Sequence, residues 1–256
     1  MHSVVIFLRS ALFNALFFLN LILLLIISLP TFFMPQRGIL TMAKVWGWTS
    51  NWLLRVIVGT KVEIRGLEKL PKGGYLVAAK HQSIWETFTL VTLFDLPTFI
   101  LKRELMWIPV FGWLTLKAGM IPIDRGARSQ TIPAMLRRAR EAIRMARQMI
   151  IFPEGTRRAA DAPPAYKYGA ARIYQRAEAP CVPVAVNSGL FWPRRGFRKY
   201  PGTIVLEILD PIPPGLPPDE FFARMQEAIE TATARLLADG MRERAALGIP
   251  VNGAAK

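Results

Sequence analysis

The segment that most constrains this chain is an uncharged, apolar run of 20 residues from Ala11 to Pro30. As a helix it is long enough to cross the roughly 30 Å hydrocarbon core of a bilayer. It is longer than a usual signal-peptide core, and the following TFFMPQRG contains no small-x-small cleavage site. A buried core helix is the other alternative, but nearly every face of this helix is apolar, which favours lipid. We therefore predict a retained membrane anchor. Its flanking cations, Arg9, Arg37 and Lys44, leave open whether it spans the bilayer or re-enters.

A second N-terminal segment, Ile39 to Gly59, contains three tryptophans. Indole rings favour the bilayer interface, so one interpretation is an amphipathic helix lying in that interface. A helix packed on the globular domain is the alternative, and the sequence favours neither. The three tryptophans are Trp46, Trp48 and Trp52.

From Lys61 onward, short apolar segments alternate with helical ones. The strand-like segments include YLVAA, FILK, MIPI, MIIF, CVPVAV and TIVLEI, and helical periodicity covers Ser129 to Met149 and Asp219 to Ala238. This alternation predicts an α/β sheet with helices on its faces. Functional residues in such sheets collect at strand ends and in loops.

The predicted organisation has three parts. Residues 1–59 form the membrane anchor and interfacial helix, and residues 60–240 form the globular domain. Residues 241–256 have little to bury, so we expect a flexible C-terminal tail.

The charge of the chain is strongly unbalanced, with 33 Lys and Arg against 18 Asp and Glu and a net charge of +15. The mean hydropathy is nevertheless positive, at +0.27. This combination favours an anionic membrane surface or an anionic substrate, and no nucleic-acid partner is expected.

One basic cluster contains nine arginines and two glutamates between residues 125 and 158. Its stripe of Arg137, Arg140, Arg144 and Arg147 has helical spacing.

A second basic cluster, FWPRRGFRKY, interleaves aromatic residues with cations between Phe191 and Tyr200. Beside a membrane anchor, this pattern favours contact with lipid headgroups. Individual arginines on solvated helix faces are the simpler alternative.

Several classes of site are excluded by what the sequence lacks. One cysteine and two histidines do not support a disulfide or a Cys/His metal cluster, and no metal site is expected. The chain has no G-x-S-x-G, G-x-x-x-x-G-K-[ST], G-x-G-x-x-G or H-E-x-x-H motif, so serine hydrolases, P-loop ATPases, dinucleotide enzymes and zinc proteases lack their signatures. The apolar strand around Cys181 predicts an inert, buried thiol.

The segment AAKHQSIWETFT contains the interior histidine, His81, followed five residues later by Glu86. Imidazole can take a proton from an alcohol at neutral pH, and a carboxylate on its other nitrogen orients the ring. SIWE is also an S-x-x-E capping box, in which Glu86 only reaches back to the helix start. The two functions are compatible if a strand ends and a helix begins between His81 and Glu86.

The segment FPEGTRR follows a predicted strand and combines backbone amides, a hydroxyl, a carboxylate and guanidinium groups in a tight loop. Arginine suits phosphate binding, and glycine lets a backbone approach a ligand. A surface turn is the alternative. GMIPIDR is a further strand with an acid–base pair at its end, and VPVAVNSG is a core strand.

In this order, HQSIWE, GMIPIDR, FPEGTR and VPVAV resemble the four motifs of the glycerolipid acyltransferases, specifically the 1-acylglycerol-3-phosphate acyltransferases, over about residues 66–211. LKRELMWIPVFGW is similar to the segment that this family carries between its first two motifs. The resemblance implies a mixed central sheet flanked by helices. It implies His81 as general base and Glu86 as its orienting acid. The residues implied to bind glycerol phosphate are Arg125, Glu154, Gly155, Thr156 and Arg157, and Pro183 lies on the acyl-donor side.

The resemblance also implies a function. A membrane-bound enzyme would move a fatty acyl group from acyl-CoA or acyl carrier protein to the sn-2 hydroxyl of lysophosphatidic acid, without a cofactor, at the cytoplasmic side of the inner cell membrane. Two departures are Glu86, where the family most often has aspartate, and Asn187, where its fourth motif often ends in proline. Another lyso-lipid acceptor, such as a lyso-aminolipid, is the near alternative. A non-enzymatic, membrane-tethered basic protein is the distant one.

Overall fold

The structure of the chain, a computed structural model, describes residues 2–124 and 132–250. The helices are α1 (His2–Ile27), α2 (Gln36–Leu53), α3 (Trp85–Leu93), α4 (Phe111–Lys117), α5 (Ile132–Arg144), α6 (Gly169–Ala177), α7 (Ser188–Phe191) and α8 (Pro218–Ala246). The strands are β1 (Thr60–Arg65), β2 (Tyr75–Ala79), β3 (Pro97–Lys102), β4 (Ile121–Ile123), β5 (Gln148–Ile151), β6 (Cys181–Val186) and β7 (Gly202–Ile208). Single 3₁₀ turns lie at Leu29–Phe33, Leu67–Lys69 and Arg103–Trp107, and a π turn follows α2 at Leu54–Val58.

Within these described ranges, seven strands form one sheet in the order β1-β7-β6-β2-β5-β3-β4. The five strands from β6 to β4 are parallel, whereas β7 is antiparallel to β6 and parallel to β1. The predicted mixed sheet flanked by helices is therefore confirmed. The C-terminal ends of the five parallel strands meet along one border, which we call the carboxyl edge.

Helices cover both faces of the sheet, and alternation along β2 shows how the two layers are separated. Tyr75, Val77 and Ala79 pack with α1, α2 and α3 on one side, which we call the anchor face. Leu76 and Ala78 pack with α5, α6 and α8 on the other side, which we call the distal face. Side chains alternate between the faces of a strand, so residues just past β2 also diverge to opposite sides.

The apolar N-terminal helix is present and packs along the domain. Phe13 and Phe17 are buried, and the Phe17 ring lies 5.7 Å from Phe88 and 5.4 Å from Trp192. Ser3–Ile27 is long and apolar enough to cross a membrane, and 17% of its most apolar stretch is buried within the protein. α1 therefore has one face packed in the core and a wide exposed apolar face. Phe13, Phe17 and Leu54 belong to the same buried cluster as strand residues of the sheet. The boundary at residue 59 stays a prediction.

The tryptophan-containing helix α2 packs on the domain, and its position in the bilayer interface stays a prediction. Trp46 packs on the domain, with its ring 5.2 Å from that of Phe88, whereas Trp48 and Trp52 are exposed. One face of α2 thus contacts α3, and another presents indole rings to the surroundings.

Replacing Gly47 with alanine is expected to lower the free energy of unfolding by about 1–3 kcal/mol, because the added methyl overpacks the contact between α2 and α3. A Cβ there would lie 2.5 Å from Thr92 Cγ2 and 2.7 Å from the Phe88 carbonyl oxygen. Gly169→Ala is the control, since a Cβ at that first residue of α6 meets nothing within 4 Å. Thermal unfolding in detergent measures both. Equal unfolding temperatures for the two variants would contradict the packing argument.

The arginine stripe predicted on α5 is only partly correct. α5 ends at Arg144 and Ala146 has a left-handed backbone, which turns Arg147 inward. Its buried guanidinium donates to Thr98 Oγ1 and, at 2.7 Å, to the Ala118 carbonyl oxygen, and burial lowers its pKa. Arg147 is therefore structural. Burial of Cys181 raises the pKa of its thiol, as expected of an inert core cysteine.

The expected flexible tail from residue 241 is wrong as far as residue 250. α8 continues to Ala246, Ile249 is buried, and the buried Arg244 donates to the carbonyl oxygens of Leu190 (2.8 Å) and Pro250. Tertiary contacts of one arginine thus fix a segment whose composition alone suggests disorder. Residues 251–256 lie outside the described ranges.

Candidate active site

His81 lies at the carboxyl edge, immediately past β2, on the side of the anchor face. Its side chain is 11% exposed, and its ring stacks on Phe152 with the centroids 3.8 Å apart and the planes at 14°. Phe152 follows β5, the parallel neighbour of β2, so the two ring-bearing positions are adjacent across the sheet. The stacked phenyl ring restricts the imidazole to one plane.

Glu86, in the first turn of α3, is fully buried and accepts several hydrogen bonds. The backbone N–H groups of Ser83 (3.0 Å) and Gln82 (3.3 Å) and the hydroxyl of Ser188 all donate to its carboxylate. His81 Nδ1 lies 3.4 Å from Glu86 Oε2. A carboxylate only accepts, so this contact suits the tautomer that carries the ring proton on Nδ1 and the lone pair on Nε2.

The capping function and the histidine contact therefore coexist in one carboxylate. Ser83 Oγ accepts from the Trp85 N–H at 3.2 Å, and Glu86 reaches back to the Ser83 N–H, which completes a capping box. The break between β2 and α3 lets the same carboxylate face His81. Ser188 was missed by sequence reasoning. The sequence shows that Ser188 closely follows the β6 segment. Only the fold shows that β6 pairs with β2, which brings Ser188 to Glu86.

The loop of FPEGTRR closes against the end of β2. The Arg158 N–H donates to the His81 carbonyl oxygen at 2.8 Å, and the Lys167 N–H donates to the Pro153 carbonyl oxygen at 2.9 Å. Gly155 has φ of 68°, and a Cβ there would lie 3.0 Å from Lys167 Nζ. Glycine thus allows both the left-handed turn and the close approach of a lysine.

Three cations gather around this loop, which presents an exposed hydroxyl. Arg157 Nη1 lies 3.5 Å from the Arg194 carbonyl oxygen, and Arg194 Nη2 lies 3.5 Å from Thr156 Oγ1. Lys167 lies over Gly155. Arginine and lysine side chains beside a hydroxyl and a glycine loop form a recurrent arrangement for phosphate. Arg194 and Lys167 were not among the predicted site residues, because they are distant in sequence from the motif.

Glu154 does not face this cationic surface. It is buried and pairs with Lys80 Nζ at 3.1 Å, and Lys80 also lies 2.6 Å from Glu230 Oε1 on α8. The Tyr166 hydroxyl donates to the same Glu230 oxygen at 2.6 Å. Lys80 points to the distal face while the next residue, His81, lies on the anchor side. Glu154 therefore ties the loop to β2 through Lys80, and its predicted contact with the acceptor stays a prediction.

Arg125, the remaining predicted acceptor residue, lies outside the described residues. The strand before it, β4, ends at the carboxyl edge, where Arg103 Nη1 is 3.6 Å from Asp124 Oδ2. A cavity of about 420 Å³ opens there, lined in part by Arg103, Met106 and Trp107.

The fold and this pair of side chains define a class: α/β proteins in which a carboxylate-oriented histidine at the carboxyl edge can act as a general base. The comparisons identify the family. A family profile described as "Acyltransferase" matches residues 61–187. The 1-acyl-sn-glycerol-3-phosphate acyltransferase of Pseudomonas aeruginosa is 37% identical over 64% of this chain and 63% of its own length. The alpha enzyme of that name from Ovis aries is 30% identical over 73% of this chain and 68% of its own length. The chain belongs to the acyltransferase family.

The fold is also that of a solved structure. The crystal structure of the 1-acyl-sn-glycerophosphate acyltransferase PlsC from Thermotoga maritima aligns with a TM-score of 0.74 over 90% of this chain and 97% of that one, at 21% identity. Among the sequence relatives, the chain matches 63% of the length of the Pseudomonas protein and 54% of that of the Saccharomyces cerevisiae one.

Proposed function

We propose that the protein is a membrane-bound O-acyltransferase that moves a fatty acyl group from an acyl thioester to the sn-2 hydroxyl of lysophosphatidic acid, forming phosphatidic acid. The observation that carries the proposal is the 3.4 Å contact between His81 Nδ1 and Glu86 Oε2 beside a cationic loop. Relatives from bacteria, yeast and mammals are named for this acceptor.

The acceptor phosphate is assigned to the surface formed by Thr156, Arg157, Arg194 and Lys167. Arg157 and the Thr156 hydroxyl project from the loop whose backbone is bonded to His81, so a phosphate bound there has a fixed position relative to the base. Such positioning supplies much of the rate when it holds a nucleophile in line with its target. Arg125 is proposed to contribute to the same acceptor.

The chemical step follows from the tautomer. His81 Nε2 takes the proton of the sn-2 hydroxyl as its oxygen attacks the thioester carbonyl carbon. The resulting tetrahedral oxyanion collapses, the C–S bond breaks, and the thiolate leaves with the proton from the imidazolium. Glu86 remains a carboxylate and stabilises the imidazolium while it exists.

Membrane attachment is supported by an apolar surface that extends beyond α1. Trp48 and Trp52 on α2 are exposed, as are Trp107 and Trp113 around α4. α4 packs with α2 through Leu40 and Leu114, so the two tryptophan-bearing segments are neighbours. His81 opens on the anchor face, beside the same helices. We propose the cytoplasmic side of the inner cell membrane as its location, with acyl-CoA or acyl carrier protein as donor and a product that remains in the bilayer.

Replacing Arg157 with alanine is expected to raise the KM for lysophosphatidic acid by about 10- to 100-fold, the loss of one charge-assisted hydrogen bond. Activity on the dephosphorylated monoacylglycerol should not change, since that acceptor offers no phosphate. The measurement is thiol release from an acyl thioester in neutral detergent micelles. Arg195→Ala removes the same charge from a nearby exposed position and is the control.

A panel of acceptors then separates the proposal from its alternatives. Lysophosphatidic acid should be used well, and monoacylglycerol and a lyso-aminolipid poorly. Equal rates on acceptors lacking phosphate would overturn the phosphate assignment while retaining the histidine chemistry. If folded protein releases thiol at the same rate in the absence of any acceptor, the transfer reaction itself would be overturned.

A further inference from the structure

Five exposed arginines lie on the adjoining helices α5 and α6, and we call them the arginine face: Arg137, Arg138, Arg144, Arg172 and Arg176. Among the residues that the structure describes, no carboxylate lies within 4.0 Å of any of their side-chain nitrogens. Arg140 on the same surface differs, because it pairs with Glu178 at 2.8 Å. So do Arg224 and Arg235 on α8, which pair with Glu220 at 3.0 Å and Glu207 at 2.7 Å. Within the described ranges, the arginine face therefore carries five arginines without an ion-pair partner, with Glu141 as the acidic residue of α5 among them, whereas Arg224 and Arg235 of α8 are paired.

The position of the arginine face argues against a role at the bilayer. α5 and α6 cover the distal face of the sheet, and the exposed apolar residues of α1 and α2 lie on the anchor face. The sheet therefore lies between the arginine face and the apolar surface of α1 and α2. A membrane that receives α1 leaves α5 and α6 facing water.

The second basic cluster, by contrast, lies beside the anchor. The Phe197 ring is 5.2 Å from that of Phe7, and Asn14 Nδ2 donates to the Phe197 carbonyl oxygen at 3.1 Å. Arg195 and Arg198 thus lie beside the proposed membrane helix α1. The two clusters, which look alike in sequence, face different surroundings.

The arginine face also reaches the active-site edge. α5 begins after β4, and α6 begins after the FPEGTRR loop, so both helices start at the carboxyl edge. Arg137 and Arg172 lie in the halves of their helices nearer that edge. These two arginines are therefore nearer than Arg144 and Arg176 to the carboxyl edge, where His81 lies.

We infer that the arginine face docks an acidic acyl carrier protein, the soluble anionic partner whose acyl thioester the active site consumes. The inference rests on the proposed function, since it names the donor for that reaction. Each exposed ion pair contributes little, so five unpaired arginines act together, and their main effect is on encounter rate and selectivity. Such binding weakens as salt screens the charges.

The test uses the full-length protein in neutral detergent with two donors that carry the same acyl chain, acyl carrier protein and coenzyme A. The double variant Arg137→Gln with Arg172→Gln is compared with Arg224→Gln with Arg235→Gln, which removes the same charge from the same helix layer. The first variant is expected to raise the KM for acyl carrier protein about tenfold and leave that for acyl-CoA unchanged. The control should change neither value, and the effect of the first variant should shrink in high salt.

The possible results separate this inference from the proposed function. An equal rise in KM for both donors would place coenzyme A phosphates on the arginine face and overturn carrier docking. An unchanged KM for both donors would also overturn carrier docking. Loss of binding to anionic vesicles in the first variant would assign the face to the membrane and overturn it as well. If the wild type transfers no acyl group, the proposed function fails, and direct binding of acyl carrier protein to wild type and variant still decides the docking.

Discussion

His81→Ala is expected to lower kcat for acyl transfer by about 10²–10⁴-fold, the contribution typical of a positioned general base. The KM for lysophosphatidic acid should change little, because the residues proposed to hold the acceptor phosphate lie on a separate loop. Thiol release at saturating donor and acceptor measures both parameters. The variant should remain folded, since among the described residues the imidazole stacks on the ring of Phe152 and makes one side-chain hydrogen bond, with Glu86.

Ser188→Ala is the matched control for this prediction. It removes one hydroxyl donor to Glu86, but the backbone N–H groups of Ser83 and Gln82 still hold that carboxylate. We expect kcat to fall by less than about tenfold, in line with the loss of one hydrogen bond. Unchanged thiol release in His81→Ala, in protein with a normal unfolding transition, would reject the general-base assignment.

Lys80→Met is expected to have the largest effect on stability, about 3 kcal/mol, because it removes the nearer cation of the buried Glu154 carboxylate and leaves only Arg158 Nε, at 3.8 Å. Glu154 Oε2 already has no hydrogen-bond partner among the described residues. Glu230, the second partner of Lys80, is more exposed and keeps the Tyr166 hydroxyl. The energetic cost of the substitution therefore falls mainly on the buried carboxylate of Glu154. Because Glu154 ties the FPEGTRR loop to β2, release of that loop should also raise the KM for lysophosphatidic acid. Unfolding in detergent and acceptor kinetics check the two effects.

Lys69→Met provides the control, because it makes the same change in an exposed pair. Lys69 Nζ lies 3.0 Å from Asp210 Oδ1, whose side chain is 87% exposed. We expect a change within about 0.5 kcal/mol, as for other surface positions. Adding Glu154→Gln to Lys80→Met should recover part of the stability, because it removes the buried negative charge of residue 154. Failure of that second substitution to recover any stability would show that the charge is not the cause.

Local pattern was sufficient for much of the fold. The run from Ala11 predicts the apolar helix, since twenty uncharged residues with apolar faces all round specify a helix in or against an apolar environment. Alternating apolar segments predict the strands and an α/β sheet, and the resemblance to the acyltransferases implies that the sheet is mixed. The break between His81 and Glu86 was also readable, because a capping box marks a helix start within a few residues.

Contacts between distant segments were not predictable in this way. Lys80 meets Glu154 and Glu230 across 74 and 150 positions of sequence, and Ser188 meets Glu86 across 102. These pairs form because β2 lies between β5 and β6, and no periodicity of a single segment encodes that order. The same order brings Phe152 onto the His81 ring.

The sequence by itself determined the anchor, the strand and helix pattern and the histidine–glutamate motif, because each depends on residues within one or two turns of the chain. Only the tertiary structure decided that Glu154 faces inward, that Arg244 holds the C-terminal segment, and that the two arginine-rich clusters lie on different faces of the sheet. The physical reason is that burial, ion pairing and exposure are properties of surfaces brought together by strand order. A charged residue has the same signature in sequence whether it meets a carboxylate, a lipid headgroup or water.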